Sequence, residues 1–163
     1  MKVELQKEHH WLEQLVGEWT WEMETPMEPG GPPQKFTGTE TVRSIGGGWI
    51  VGEGEGQMPD GSPTVTILTL GFDPAKNRFV GTWIGTMMSH LWVYSGQLDA
   101  AEKVLSLDTE GPAFDDNGKM TDKMTNYKDV ITLKSEDHRT LTGNMLTKDG
   151  SWFEMMTMHY YRK

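Results

Sequence analysis

Gly17-Glu18-Trp19-Thr20-Trp21-Glu22-Met23-Glu24 is the stretch that decides the fold. Its bulky apolar side chains Trp19, Trp21 and Met23 alternate with Glu18, Thr20, Glu22 and Glu24, and a period of two gives a β-strand with one apolar face and one wet face. The residues before it follow another period. Leu5, Trp11, Leu12, Leu15 and Val16 fall mostly on one side of a helical wheel whose remainder is Glu, Gln, Lys and His, so residues 4–16 read as a short amphipathic helix that Gly17 ends.

After the strand at 18–25, Pro26, Pro29, Pro32 and Pro33 with Gly30-Gly31 turn residues 26–34 into a long loop. Strand-like segments then follow near 36–45, 49–57, 64–72, 78–87, 90–99, 103–109, 126–134, 139–147 and 152–161. They are divided by turn signals such as Gly46-Gly47-Gly48, Pro59-Asp60-Gly61, Asp73-Pro74-Ala75-Lys76-Asn77, Asp115-Asp116-Asn117-Gly118 and Asp149-Gly150. About ten short strands at near-regular spacing, with helix only at the start, predict an all-β, antiparallel up-and-down meander. Twist accumulates in so many strands and open edges invite aggregation, so the sheet is expected to close into a barrel over residues 17–163. The 26–34 loop is expected to cover one mouth of it. No long-period repeat and no shift of composition marks a second domain, so residues 1–163 read as a single domain.

Composition narrows the chemistry. Twenty-four acidic against fifteen basic residues give a formal charge of -9, whose field repels phosphate backbones and anionic membranes; neither nucleic acid nor a membrane is an expected partner. Zero cysteines exclude thiolate catalysis, disulfides and Cys-ligated metal centres and suit a reducing compartment. With no apolar leader-like segment at residues 1–8, and no run of about 18 apolar residues, a cytoplasmic location is expected. Seven Trp and twelve Met put much of the apolar volume into large side chains that suit the lining of a cavity.

Gly81 to Tyr94 gathers Trp83, Met87, Met88, His90, Trp92 and Tyr94, with Gly81 and Gly85 leaving room between them. This is a pocket wall in which His90 is the titratable group, able to orient a ligand, hold a metal or move a proton; alternatively it is a hydrogen-bonded core histidine. Gly52-Glu53-Gly54-Glu55-Gly56 lacks the spacing, the following helix and the lysine of a phosphate cradle. Its carboxylates share one strand face, read either as solvated or, on parity with Trp49 and Val51, with Glu53 turned inward as a buried acid. In Trp152 to Tyr161 neither face is plainly polar, which suggests a strand covered by the interior and by the N-terminal helix, with His159 free to point either way. The acidic run Asp108 to Asn117 lacks the ligand pattern of a calcium loop, His9 and His10 have no zinc-binding spacing, and Ser62, Ser89 and Ser95 have no nucleophile signature.

A helix leading into Gly-x-Trp and a meander resembles the opening of calycin-superfamily barrels, which include lipocalins, fatty-acid-binding proteins and nitrobindins. That resemblance implies structural roles for Gly17, Trp19 and Arg162, the tryptophan packing at the closed end against a basic residue of the last strand. Longer stretches resemble a bacterial family known as domain of unknown function 1579. They are Gly38-Thr39-Glu40-Thr41 through Gly46-Gly47-Gly48-Trp49, the Gly52 to Gly56 run, Gly81 through Trp92, and Leu107-Asp108-Thr109-Glu110-Gly111-Pro112. This implies a lipocalin-like barrel and no particular activity.

The expected function is therefore binding of a small, largely apolar molecule, with Trp21, Met23, Trp83, Met88, Trp92 and Met156 as wall, His90 as polar anchor and Glu53 as a further candidate. No cofactor or metal is called for by this reading, and self-association is left open. Two rivals stand beside it. Resemblance to nitrobindin implies a haem barrel acting on nitrogen oxides, with His159 near the position of its iron ligand and Met156 or Met158 closer to it. The other rival is an enzyme pairing His90 with Glu53 or another carboxylate as acid and base.

Overall fold

The computed structural model describes residues 2–26, 30–58 and 60–163. One short helix, α1 (Lys7–Leu12), runs into a single 3-10 turn (Glu13–Leu15), and ten strands follow: β1 (Gly17–Pro26), β2 (Pro33–Ile45), β3 (Trp49–Gln57), β4 (Pro63–Asp73), β5 (Arg78–Gly85), β6 (Met88–Leu98), β7 (Val104–Phe114), β8 (Met120–Leu133), β9 (His138–Leu146) and β10 (Trp152–Arg162). Each strand pairs antiparallel with the next, and β1 closes on β10, so the sheet is a complete up-and-down barrel as the pattern predicts. Among the described residues no helix is long and apolar enough to cross a membrane.

The helix is shorter than residues 4–16 because the His9 ring intervenes at its start. Gln6 N–H donates to His9 Nδ1 at 2.9 Å, which fixes the proton on Nε2, and Nε2–H donates to the Phe72 carbonyl at 3.0 Å. A buried histidine thus begins the helix and ties it to β4, while Leu5 stays exposed. Trp11, Leu12 and Leu15 close the adjacent end of the barrel, where Trp11 meets Phe79 edge to face and Phe79 meets Phe72.

Registry starting from Trp19 assigns the two faces of the wall. Trp19 lies opposite Glu40, and the inward phase passes through Val42, Gly52, Leu68, Trp83 and Trp92 on one side of the barrel. On the other side it passes through Tyr160, Arg139, Leu133 and Ile131. Near the helix this interior is solid: Trp19, Val42, Ile50, Leu70, Phe79, Leu105, Leu107, Ile131 and Tyr160 are all buried.

Two ladders are incomplete. β1 and β10 pair only from Trp19–Arg162 to Met23–Met158, and β6 and β7 only from Ser95–Asp108 to Leu98–Leu105, so both pairs splay towards the end remote from the helix. The second splay explains why the β7–β8 hairpin runs longer than residues 103–109 and 126–134 suggest. Pro112 falls where β7 has already lost β6, so its missing N–H breaks no ladder on that side. Pro26 and Pro33 pair with each other at the ends of β1 and β2, which shortens the expected 26–34 loop. The expectation that this loop covers a mouth of the barrel rests largely on residues 27–29, outside the described residues.

The closed end holds an ion pair. Arg139 (side chain 3% exposed) bonds Glu40 (8%), and the guanidinium lies over the rings of Tyr160 at 3.9 Å and Trp19 at 4.7 Å. From the other side Arg162 covers Trp19 at 4.2 Å and donates to the carbonyls of Val16 and Gln14. Removing one member of such a pair strands a buried charge, whereas removing both leaves a packed apolar core. Arg139→Met is therefore expected to cost about 3–5 kcal/mol, and Glu40→Leu combined with Arg139→Met to recover most of it; urea unfolding of the two variants checks this.

Candidate functional site

The half of the barrel remote from the helix differs from the closed half. Trp21, Leu68, Trp83, Asp129, Met156 and Met158 face inward, yet all keep accessible surface. About eight strands give an interior that side chains just fill, and ten give a wider one. Trp92, Tyr94 and Tyr127 are buried in this half, while the six named side chains do not fill it completely.

Glycines position them. A β-carbon on Gly38 or Gly56 would collide with the Trp21 ring at 2.3 or 2.6 Å, one on Gly85 with Trp83 at 2.7 Å, and one on Gly111 with Trp92 at 2.2 Å. Trp21 and Trp92 lie against other strands where these offer no side chain, and Trp83 lies along its own strand over Gly85. The same geometry corrects the reading of Glu53. Gly52, Gly54 and Gly56 carry the inward phase of β3, beside Glu40, Thr66 and Trp21, so Glu53 and Glu55 are exposed on the outer surface. The parity argument failed because its reference residue, Trp49, is itself outside, lying over Gly71 and 48% exposed.

Of the residues expected to line a pocket, Trp21, Met23, Trp83, Met88, His90, Trp92 and Met156 share the inward phase. His90 sits at the rim, where its Nε2 meets the Glu110 carbonyl at 3.0 Å and bridges the β6–β7 splay; its ring abuts Trp92 at 4.7 Å. Trp92 donates Nε1–H to Met88 Sδ and meets Tyr127 edge to face at 4.9 Å. Tyr127 donates to the Pro112 carbonyl, and burial pushes its phenol up to about 12.

His90 and Glu53 occupy opposite faces of the wall with two strands between them, so they form no acid–base pair. The inward carboxylates offer no replacement, since Glu40 is bound by Arg139 and Asp129 by Tyr94. His159 points outward, stacked with His138 and Tyr161, its Nδ1 3.0 Å from His138 Nε2. Burial and the neighbouring His159 and Lys134 charges lower the His138 pKa. The outer face of β10, expected to lie under the N-terminal helix, is partly exposed, and the helix lies against β3 and β4. A histidine on the outer face does not fit an iron held inside the barrel, and Met156 and Met158 take the inward positions. Among the described residues no three His, Asp or Glu side chains converge to hold a metal ion.

The polar centre of the interior is a pair that sequence reasoning missed. Tyr94 reaches from β6 across β7 to donate to Asp129 Oδ2 on β8 at 2.5 Å. The signal was present in Tyr127-Lys128-Asp129-Val130-Ile131, where Asp129 keeps phase with Tyr127 and Ile131 and so sits on an apolar face. Gly143 brings Asp129 beside the portal: a β-carbon there would lie 3.3 Å from the Met156 methyl and 3.6 Å from Asp129 Oδ1.

That portal is the splay between β1 and β10, a cleft of about 690 Å3 lined by Glu22, Met23 and Glu24 on one side and by Glu154, Met156 and His159 on the other. A bulge between Glu154 and Met156 bends β10 away from β1 there. Lys35 bonds Glu22 at 2.9 Å and holds its carboxyl below the usual range.

Burial raises the Asp129 pKa, and the Tyr94 hydroxyl draws it partly back. The folded chain therefore holds this proton more tightly than the unfolded one. Its contribution to stability is complete below the unfolded value of about 3.9 and is lost as pH rises through the higher folded value. Asp129→Asn keeps an acceptor for Tyr94 and removes the titration. The variant is expected to be more stable than the parent at pH 7, with an advantage that shrinks towards pH 4; thermal unfolding across that range checks it.

Solved structures agree on the architecture. Rv2717c from M. tuberculosis superposes with a TM-score of 0.60 at 12% identity, covering 98% of this chain and 99% of that one. The S-type phycobiliprotein lyase CPES from Guillardia theta gives 0.51 at 12% identity, covering 98% and 94%. At such identities the likeness is one of fold. No curated protein matches the sequence. The family model for DUF1579, a protein of unknown function, matches residues 4–162, and the chain belongs to that family.

Proposed function

We propose that this protein binds a small, largely apolar molecule in the open half of its barrel, reached through the gap between β1 and β10. One observation carries the reading: inward-facing Trp21, Trp83, Met156 and Met158 keep accessible surface behind a portal, in a barrel whose other half is solid. Trp21, Met23, Trp83, Met88, Trp92 and Met156 form the wall, and the role of polar anchor passes from His90 to Asp129 and Tyr94. Burying about 300 Å2 of apolar ligand surface would contribute about 7 kcal/mol before the loss of ligand freedom is subtracted. Methionine side chains adapt their shape, which suits a chamber that accepts more than one ligand outline. A cytoplasmic site of action is part of the proposal and rests on the cysteine-free composition.

Nile red, an uncharged apolar dye, tests this. Its fluorescence is expected to rise and saturate at one dye per chain. Met156→Trp, which fills the inner side of the portal, is expected to weaken binding about tenfold or more, by displacing apolar contact worth about 1.4 kcal/mol or more. Leu91→Ser, on the outer surface, is expected to leave it unchanged. Loss of binding in the Leu91 variant with retention in the Met156 variant would place the dye outside the barrel and end the proposal.

A further inference from the structure

Below the rim, the described residues place three charged side chains on the inward face: Glu40, Arg139 and Asp129. Glu40 and Arg139 neutralise each other in the closed half. Asp129 is left as the acid of the open half, with Tyr94 on Oδ2 and no hydrogen bond to Oδ1 among the described residues. A second observation points to the same spot. Thr109, diagonal to Asp129 across the β7–β8 ladder, is 8% exposed and its inward-phase hydroxyl has no hydrogen-bond partner. Buried polar atoms are rarely left unpaired; among the described residues Thr109 Oγ1 is one and Arg139 Nε, in the closed half, the other. A carboxylate oxygen with no bond and a hydroxyl with none, on one wall, fit a ligand that donates.

The surroundings select the sign of that donor. Trp92 and Tyr127 are buried against each other, and the inward rings that keep accessible surface are those of Trp21 and Trp83; aromatic faces attract cations. At the portal Glu22, Glu24 and Glu154 outnumber Lys35, which Glu22 already engages. Acid at the floor, aromatic faces along the wall and acid at the portal each favour a cation, and together they repel an anion.

We propose that the chamber takes a protonated organic amine, its ammonium group donating to Asp129 Oδ1 and Thr109 Oγ1 and its apolar body lying against the tryptophans and methionines of the open half. This rests on the binding function proposed above and adds the class of ligand. No bond is made or broken; the amine arrives protonated and leaves so.

The test uses three probes that share one apolar body: 1-naphthylmethylamine, 1-naphthalenemethanol and 1-naphthoate, titrated calorimetrically into the full chain at pH 7.5. The amine is expected to bind about tenfold or more tightly than the alcohol, because its ammonium adds the attraction of opposite charges to the hydrogen bond, and the carboxylate is expected to bind weakest. Asp129→Asn is expected to abolish the preference, so that amine and alcohol bind this variant about equally. Thr109→Val, a second variant of nearly the same size, is expected to lower the amine preference by a smaller factor and serves if the first fails to fold. Equal affinities for amine and alcohol in the parent, or an amine preference that survives both substitutions, overturn the amine assignment and leave the binding function standing. Failure of all three probes together with Nile red overturns the binding function, and the amine assignment with it.

Discussion

The barrel closes along a seam of five residue pairs between its first and last strands, and everything else in the molecule depends on that closure. Trp19 is the post of the seam. It is held between the guanidinium groups of Arg139 and Arg162, and its Nε1–H donates to the Leu15 carbonyl. Arg139 in turn bonds Glu40 on β2, so one indole and two arginines join β1, β2, β9 and β10 to the segment that plugs the end. Gly17 completes the arrangement: its φ of +137° is natural for glycine, and a side chain there would strike the Arg162 guanidinium at 2.4 Å. With the seam fixed at the helix end, the strands are free to diverge at the other.

Room inside the open half comes from pairing the largest side chain with the smallest. Trp21 lies against Gly38 and Gly56 of β2 and β3, Trp92 against Gly111 of β7, and Trp83 against Gly85 of its own strand, so the indoles lie along the wall. A barrel filled by leucine and valine at those positions would be a core. This one is a buried core at the helix end, and several of its large inward residues keep accessible surface towards the other end.

Much of this was legible in the sequence, and the parts that were not have a common cause. Strict alternation in Trp19, Trp21 and Met23 announced the first strand and its inward face, and regular turn signals announced a meander whose only economical end is closure. Parity transfers along a strand only from a residue whose side is known. Glu53 had two readings, solvated or inward on parity with Trp49 and Val51; Trp49 lies over Gly71 on the outer surface, so the solvated one holds. His159 had no anchor of this kind, since both faces of β10 carry bulky residues; contact across the ladder to His138 decided it. Asp129 was hidden for the opposite reason: acids are expected outside, and the apolar phase of Tyr127 and Ile131 was the quieter signal. The Glu40–Arg139 pair joins residues from opposite ends of the chain, which no local pattern can disclose.

The β1–β10 seam also has a place in time. It joins the first strand to the last, and so carries the greatest loop-closure entropy of any pairing in the molecule, while every other ladder joins neighbours in sequence. A chain built this way gathers its hairpins early and shuts its cylinder late. The pairing formed last is the natural first to breathe, and it borders the portal. Closure of the cylinder and the edge of the cleft therefore share the same few backbone hydrogen bonds.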